Sequence, residues 1–168
     1  IISAVERRML KNNEISSTVR ISDLYAMIPS ITGKIELVYE GEQEGPHQIA
    51  VDLIGEAIKE EFITFVPEPA EAFDGDSHFV NLRSWFSSGH IVELENDVSD
   101  EEFAEALNEV PFLDEIVYDY IDQPHDRIFW KEFILHVLSE FNVLNKEVWD
   151  GHMNFNDLLA NMLDDLDE

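Results

Sequence analysis

Residues 20–45 read RISDLYAMIPSITGKIELVYEGEQEG, and the reading of this stretch decides the rest. Ser22-Asp23 supplies side-chain oxygens that can cap a short helix through Leu24, Tyr25, Ala26 and Met27. Pro29 interrupts that helix because its ring fixes φ and it has no N–H to donate. Ser30 to Glu40 fits two patterns. Ile31, Ile35, Val38 and Tyr39 suit a helical face, whereas KIELVY also suits a strand. Gly-Lys at Gly33-Lys34 lacks the preceding glycine and the spacing of a phosphate-cradling loop.

The flanks extend a helical pattern. ISAVERRMLKN at 2–12 places Ile2, Val5 and Met9 on one face, with Asn12-Asn13 as a stop. Pro46 suits the first turn of a long helix over about 46–65, with Ile49, Leu53, Ala57 and Ile58 on one face. Residues 67–77, PEPAEAFDGDS, are rich in proline, acid and glycine and read as a linker. Beyond it, Phe79, Leu82, Arg83 and Phe86 predict a short helix ending at Gly89. Ser99-Asp-Glu-Glu is a capping signature for a helix carrying Phe103 and Leu107. Pro111 permits another helix with Leu113, Ile116, Val117 and Tyr120. Residues 126–142 give an amphipathic helix through Phe129, Trp130, Phe133, Ile134, Val137, Leu138 and Phe141. Residues 154–166, with Phe155, Leu158, Leu159, Met162 and Leu166, read as a closing helix. The expected fold is mainly α: a helical subdomain at 1–66, a linker at 67–77 and a small acidic helical domain at 78–168.

Composition narrows the function classes. The 168 residues are 45% hydrophobic and 11% aromatic, enough to build a core. There is no cysteine, so disulfides and thiolate metal sites are excluded, and the composition fits a reducing cytoplasm. No apolar run approaches the ~20 residues of a membrane-spanning helix. The net charge is −27 and it is unevenly placed. Residues 1–34 carry five cations (Arg7, Arg8, Lys11, Arg20, Lys34) against three acids (Glu6, Glu14, Asp23), and the remainder carries a net −29. Such a polyanion repels nucleic acid and anionic lipid and favours basic protein partners.

The sequence shows no catalytic constellation. No GxxxxGK[ST] loop occurs, and no strand ends in paired acids. Asp74, Asp76 and His78 alternate in a loop without the full calcium-loop pattern. His125 and His136 share roughly one helical face with no third ligand, and His47, His90 and His152 border turns. Adjacent acids such as Glu60-Glu61 are expected among 37 carboxylates. Trp85, Trp130 and Trp149 have core spacing. No catalytic residue and no metal set are assigned.

SAVERRML at 3–10 followed by the stretch at 20–45 resembles the small helical lid of the magnesium-chelatase-like branch of the AAA+ ATPases, the group that includes the MoxR-type chaperone ATPases. Trp85-Phe86, Ser99 to Glu102, and Phe155-Asn156-Asp157-Leu158-Leu159 are similar to the C-terminal extension of the same group. The resemblance tips 30–40 towards helix. It implies a nucleotide-binding core upstream of Ile1, with ATP and magnesium belonging to that full-length parent and no cofactor in this stretch. It implies homo-oligomeric ring assembly with neighbouring subunits and a protein client, while the acidic charge implies no contact with nucleic acid or membrane. In that family a lid cation senses the γ-phosphate, and the residues available for nucleotide sensing are Lys34 and Arg20. The competing expectation is a free-standing acidic helical module that binds a basic protein.

Overall fold

The computed structural model describes residues 1–34, 45–122, 126–149 and 151–158. These are mainly helical, as the periodicities predict. Helix α1, Ile2–Asn12, stops at Asn13, whose φ of 57° turns the chain out of the helix. A 3-10 helix, Ile21–Met27, runs into α2, Ile28–Thr32, with Pro29 in its first turn. Helix α3 covers Gly45–Phe65, and a single turn, α4, covers Pro69–Ala72. Helices α5 (His78–Ser87), α6 (Asp100–Asn108) and α7 (Leu113–Tyr120) precede the central α8, Arg127–Glu140. The expected readings of 35–44, of His125 and of residues 159–166 lie outside the described residues.

Two helix starts are capped by side chains, the first of them where the sequence signal placed it. Ser99 Oγ accepts from the Glu102 N–H at 3.2 Å, and Glu102 Oε2 accepts from the Ser99 N–H at 3.1 Å. This reciprocal pair satisfies two amides that α6 leaves without intrahelical partners. Helix α8 starts on Asp126, whose Oδ1 accepts from the Phe129 N–H at 3.1 Å.

The C-terminal part is not wholly helical. Strands β1 (Val92–Glu95), β2 (Leu144–Trp149) and β3 (His152–Asp157) form an antiparallel sheet in the order β1-β3-β2. The helix expected to begin at 154 is therefore replaced over 154–157 by β3. Val92 pairs with Phe155 and Leu144 with Asp157. The turn signal lay in the sequence as Asp150-Gly151, and Gly151 adopts φ 84°, which favours glycine. Alternation then buries Val92, Leu94, Met153 and Phe155 on one face, covering the core.

Helix α8 is less one-sided than its sequence suggests. Every residue from Lys131 to Leu138 is buried, because α3, α6, α7, β2 and the 3-10 helix surround it. The buried apolar residues form one cluster that draws on both sides of residues 67–77, from Ile21, Ile54 and Phe62 to Phe79, Leu113 and Phe155. Within 67–77, Phe73 stacks on Phe62 with centroids 5.9 Å apart and meets Phe79 edge-on at 5.1 Å. The compositional boundary is thus not a boundary of the core. Trp85 and Trp130 are half-buried, whereas Trp149, expected in the core, is exposed at the end of β2.

Candidate functional site

The opening of the decisive stretch, Arg20 to Asp23, is where the N-terminal helices join the rest of the chain. Arg20 is 2% exposed although it is the longest and most basic side chain of that stretch. Its Nη1 donates to the Asn96 carbonyl at 2.9 Å. Its Nη2 reaches the carbonyls of Val98 (3.0 Å) and Ser99 (3.2 Å) and the carboxylate of Asp100 (3.0 Å). The guanidinium carbon lies 3.9 Å from the centroid of the Phe103 ring, a stacking geometry that an ammonium would not reproduce. Burial, and then the neighbouring Arg8, lower the Arg20 pKa, while Asp100 and Glu132 oppose that shift.

Asp23 ties the same corner from below. It accepts from the Arg20 N–H at 2.9 Å and takes a forked contact from Arg8 at 2.7 and 3.1 Å. The Arg8–Asp23 pair is buried on both sides. The basic N-terminal segment thereby docks on the acidic 97–100 region, where Arg7 and Lys11 also meet Asp97. The charge asymmetry seen in the sequence has this structural use.

Glu132 closes the corner from α8. It is fully buried, and its two oxygens accept from the N–H groups of Ile21 (2.7 Å) and Ser22 (3.0 Å). A carboxylate from a distant helix thus satisfies the open amides at the start of the 3-10 helix. Burial pushes its pKa up to about 7, with the Ile21 and Ser22 amides and Arg20 acting against that rise and Asp23 adding to it. One turn on, His136 is also fully buried, and neither ring nitrogen has a hydrogen-bond partner. Its Nε2 lies 3.9 Å from Glu132 Oε1. Burial, and secondarily Lys146, hold it well below the usual histidine range, so it is neutral at physiological pH. Sequence reasoning missed Glu132 altogether. Its only signal was an acid inside a helix rich in large apolar residues.

The two residues put forward for nucleotide sensing are not brought together. Arg20 has both terminal nitrogens committed inside the protein. Lys34 is exposed just after α2, with its N–H bonded to the Ile31 carbonyl at 2.8 Å. Asp74 and His78 also part company: Asp74 accepts from the Gly75 N–H, while His78 Nδ1 meets Asp119 at 2.7 Å. Among the described residues, no group of three or more His, Asp or Glu side chains is placed to hold a metal ion. Among them too, no helix is long and apolar enough to cross a membrane.

Beside the corner lies an apolar groove of about 510 Å³ between the 3-10 helix and α2, α3, and the start of α8. Leu24, Met27 and Ile31 form one wall, Leu53, Ala57 and Ile58 the second, and Phe129, Trp130 and Phe133 the third. Glu61 is the one charged side chain in the lining.

Comparison with known proteins returns no match: no family model, no curated protein and no solved structure corresponds to this chain.

Proposed function

We propose that this chain is the helical lid and C-terminal extension of a magnesium-chelatase-like AAA+ ATPase of the MoxR type. In the parent protein it serves ring assembly, nucleotide sensing and the remodelling of a protein client. The resemblance of residues 3–10 and 20–45 carries this reading. Its support from geometry is that Arg20 to Asp23, inside that stretch, anchor the N-terminal helices to residues 96–100 and to Glu132. A lid that tilts with the nucleotide state would then carry the acidic extension with it as one body. The sensing role falls to Lys34, the exposed cation of the two, since Arg20 is spent on internal acceptors. A cation delivered to the γ-phosphate stabilises the charge that spreads over its oxygens during transfer.

The reading frame upstream of Ile1 and an ATP-hydrolysis assay on the full-length protein test this proposal. The expected result is a phosphate-binding loop in frame, hydrolysis by the parent, and none by this chain alone. Lys34→Ala should slow turnover on the order of a hundredfold while leaving nucleotide affinity nearly unchanged. An upstream frame without such a loop, or a chain that hydrolyses ATP by itself, refutes the reading. In the first case the net charge of −27 favours the second reading, a free-standing acidic module that binds a basic protein.

A further inference from the structure

We infer that the groove between the 3-10 helix, α3 and α8 is a docking site for one amphipathic helix of a basic protein partner. The inference does not rest on the ATPase reading, because a free-standing module would bind the same partner.

The shape of the groove fits a helix. Its lining on α3 runs from Leu53 to Glu61, a span of about 12 Å at the helical rise per residue. That is the distance over which an incoming helix presents side chains at i, i+4 and i+7. Leu53 is 55% exposed and Ala57 is also exposed, so apolar surface along this face lacks cover among the described residues. Trp130 and Phe129 are only half-buried, and they offer the aromatic surface on which interface anchors pack. The rest of the lining is apolar, so a partner's apolar stripe would lose no hydrogen bonds on entering.

Charge selects the occupant. Glu61 sits in the lining, and the solvent side of α3 next to Leu53 carries Glu56 and Glu60. Glu56 is met by Lys59, which leaves Glu60 and Glu61 as acids along this edge with no cation in the lining. An apolar stripe flanked by Lys or Arg matches that edge. A second copy of this chain, with a net charge of −27, is a poorer match to that acidic edge.

Synthetic peptides of about 18 residues, long enough to be partly helical, test the site on the whole chain. One carries leucines at i, i+4, i+7 and i+11 with lysines elsewhere, the second replaces the lysines by glutamates, and the third scrambles the lysine peptide. Fluorescence anisotropy is read at ~0.15 M salt, where the Debye length is ~8 Å. The ordered lysine peptide should bind at least about tenfold tighter than either of the others. Leu53→Asn, which changes no charge, should weaken it about tenfold without moving the urea midpoint. Glu60→Lys with Glu61→Lys should shift preference towards the glutamate peptide. Equal binding of ordered and scrambled lysine peptides, or indifference to Leu53→Asn, overturns the inference. So does a groove that takes anilinonaphthalene sulfonate but no peptide, or a dimer in sedimentation that Leu53→Asn dissolves.

Discussion

Replacing Glu132 by glutamine should remove a pH dependence of stability that the wild-type chain carries between pH 5 and 8. The carboxyl is fully buried and its pKa is pushed up to about 7, against an ordinary value of 4.5. Between those values the folded chain holds a proton there that the unfolded chain has released. Folding is therefore favoured at the acid end, and this contribution is lost as pH rises through the folded pKa. Over pH 5 to 8 the loss comes to roughly 2–3 kcal/mol. Glutamine cannot titrate. It also turns one donor towards the Ile21 and Ser22 amides, a constant cost of about 1–3 kcal/mol. The groups around Glu132 are Arg20, Arg8 and Asp23 from the N-terminal helices, His136 on its own helix, and Lys146 and Tyr25 beyond it. These remain in both proteins, so their titration largely cancels in the difference. Urea unfolding followed by far-ultraviolet circular dichroism, at steps from pH 5 to 8, measures that difference. Wild type should lose ground to Glu132→Gln as pH rises. Parallel curves, with an offset constant to within about 0.5 kcal/mol, would refute the argument that Glu132 is buried with a raised pKa.

Three further substitutions probe the same corner. Arg20→Lys keeps the charge but loses the fork onto Asn96, Val98 and Ser99 and the stack on Phe103, and should cost about 2–4 kcal/mol in urea unfolding. Ser99→Ala removes half of the reciprocal cap on α6 and should cost about 1 kcal/mol, with no change in the unfolding slope. His136→Leu should stabilise the chain by about 1–3 kcal/mol, because it removes two buried nitrogens without partners. Its advantage should grow below pH 6.5, where the unfolded wild-type histidine takes a proton that the folded one refuses. A thermal scan at pH 5.5 and 8 in which the advantage is equal would contradict the burial argument.

Legibility in the sequence divided along a physical line. Local signals worked: the Ser99 to Glu102 cap, the stop at Asn13, Pro46 in the first turn of α3, and the periodicity of α5 and α7 all act within a few residues of themselves. Long-range pairing did not show. Strand β1, VELE, is too short to announce itself, and β3 shares Phe155 with a plausible helix face. The Asp-Gly pair at 150–151 was a usable sequence signal for the reversal between β2 and β3. Arg20 stood out as a cation, but its acceptors lie 76–80 residues away, so the sequence could suggest reactivity and not confinement. Glu132 was hidden for the same reason, since its partners lie 110 and 111 residues before it.

The position of β3 has a consequence for synthesis on the ribosome. It is the middle strand of the sheet, yet it is made after both of its neighbours. While residues 152–157 are still unmade, Val92 and Leu94 have no strand to lie against, and both edges of β1 remain open. A nascent chain stalled before that point would therefore present an unpaired apolar edge to its surroundings. Chaperone occupancy on stalled chains of increasing length should drop once β3 has cleared the exit tunnel, because β3 is the strand that joins β1 and β2 into one sheet.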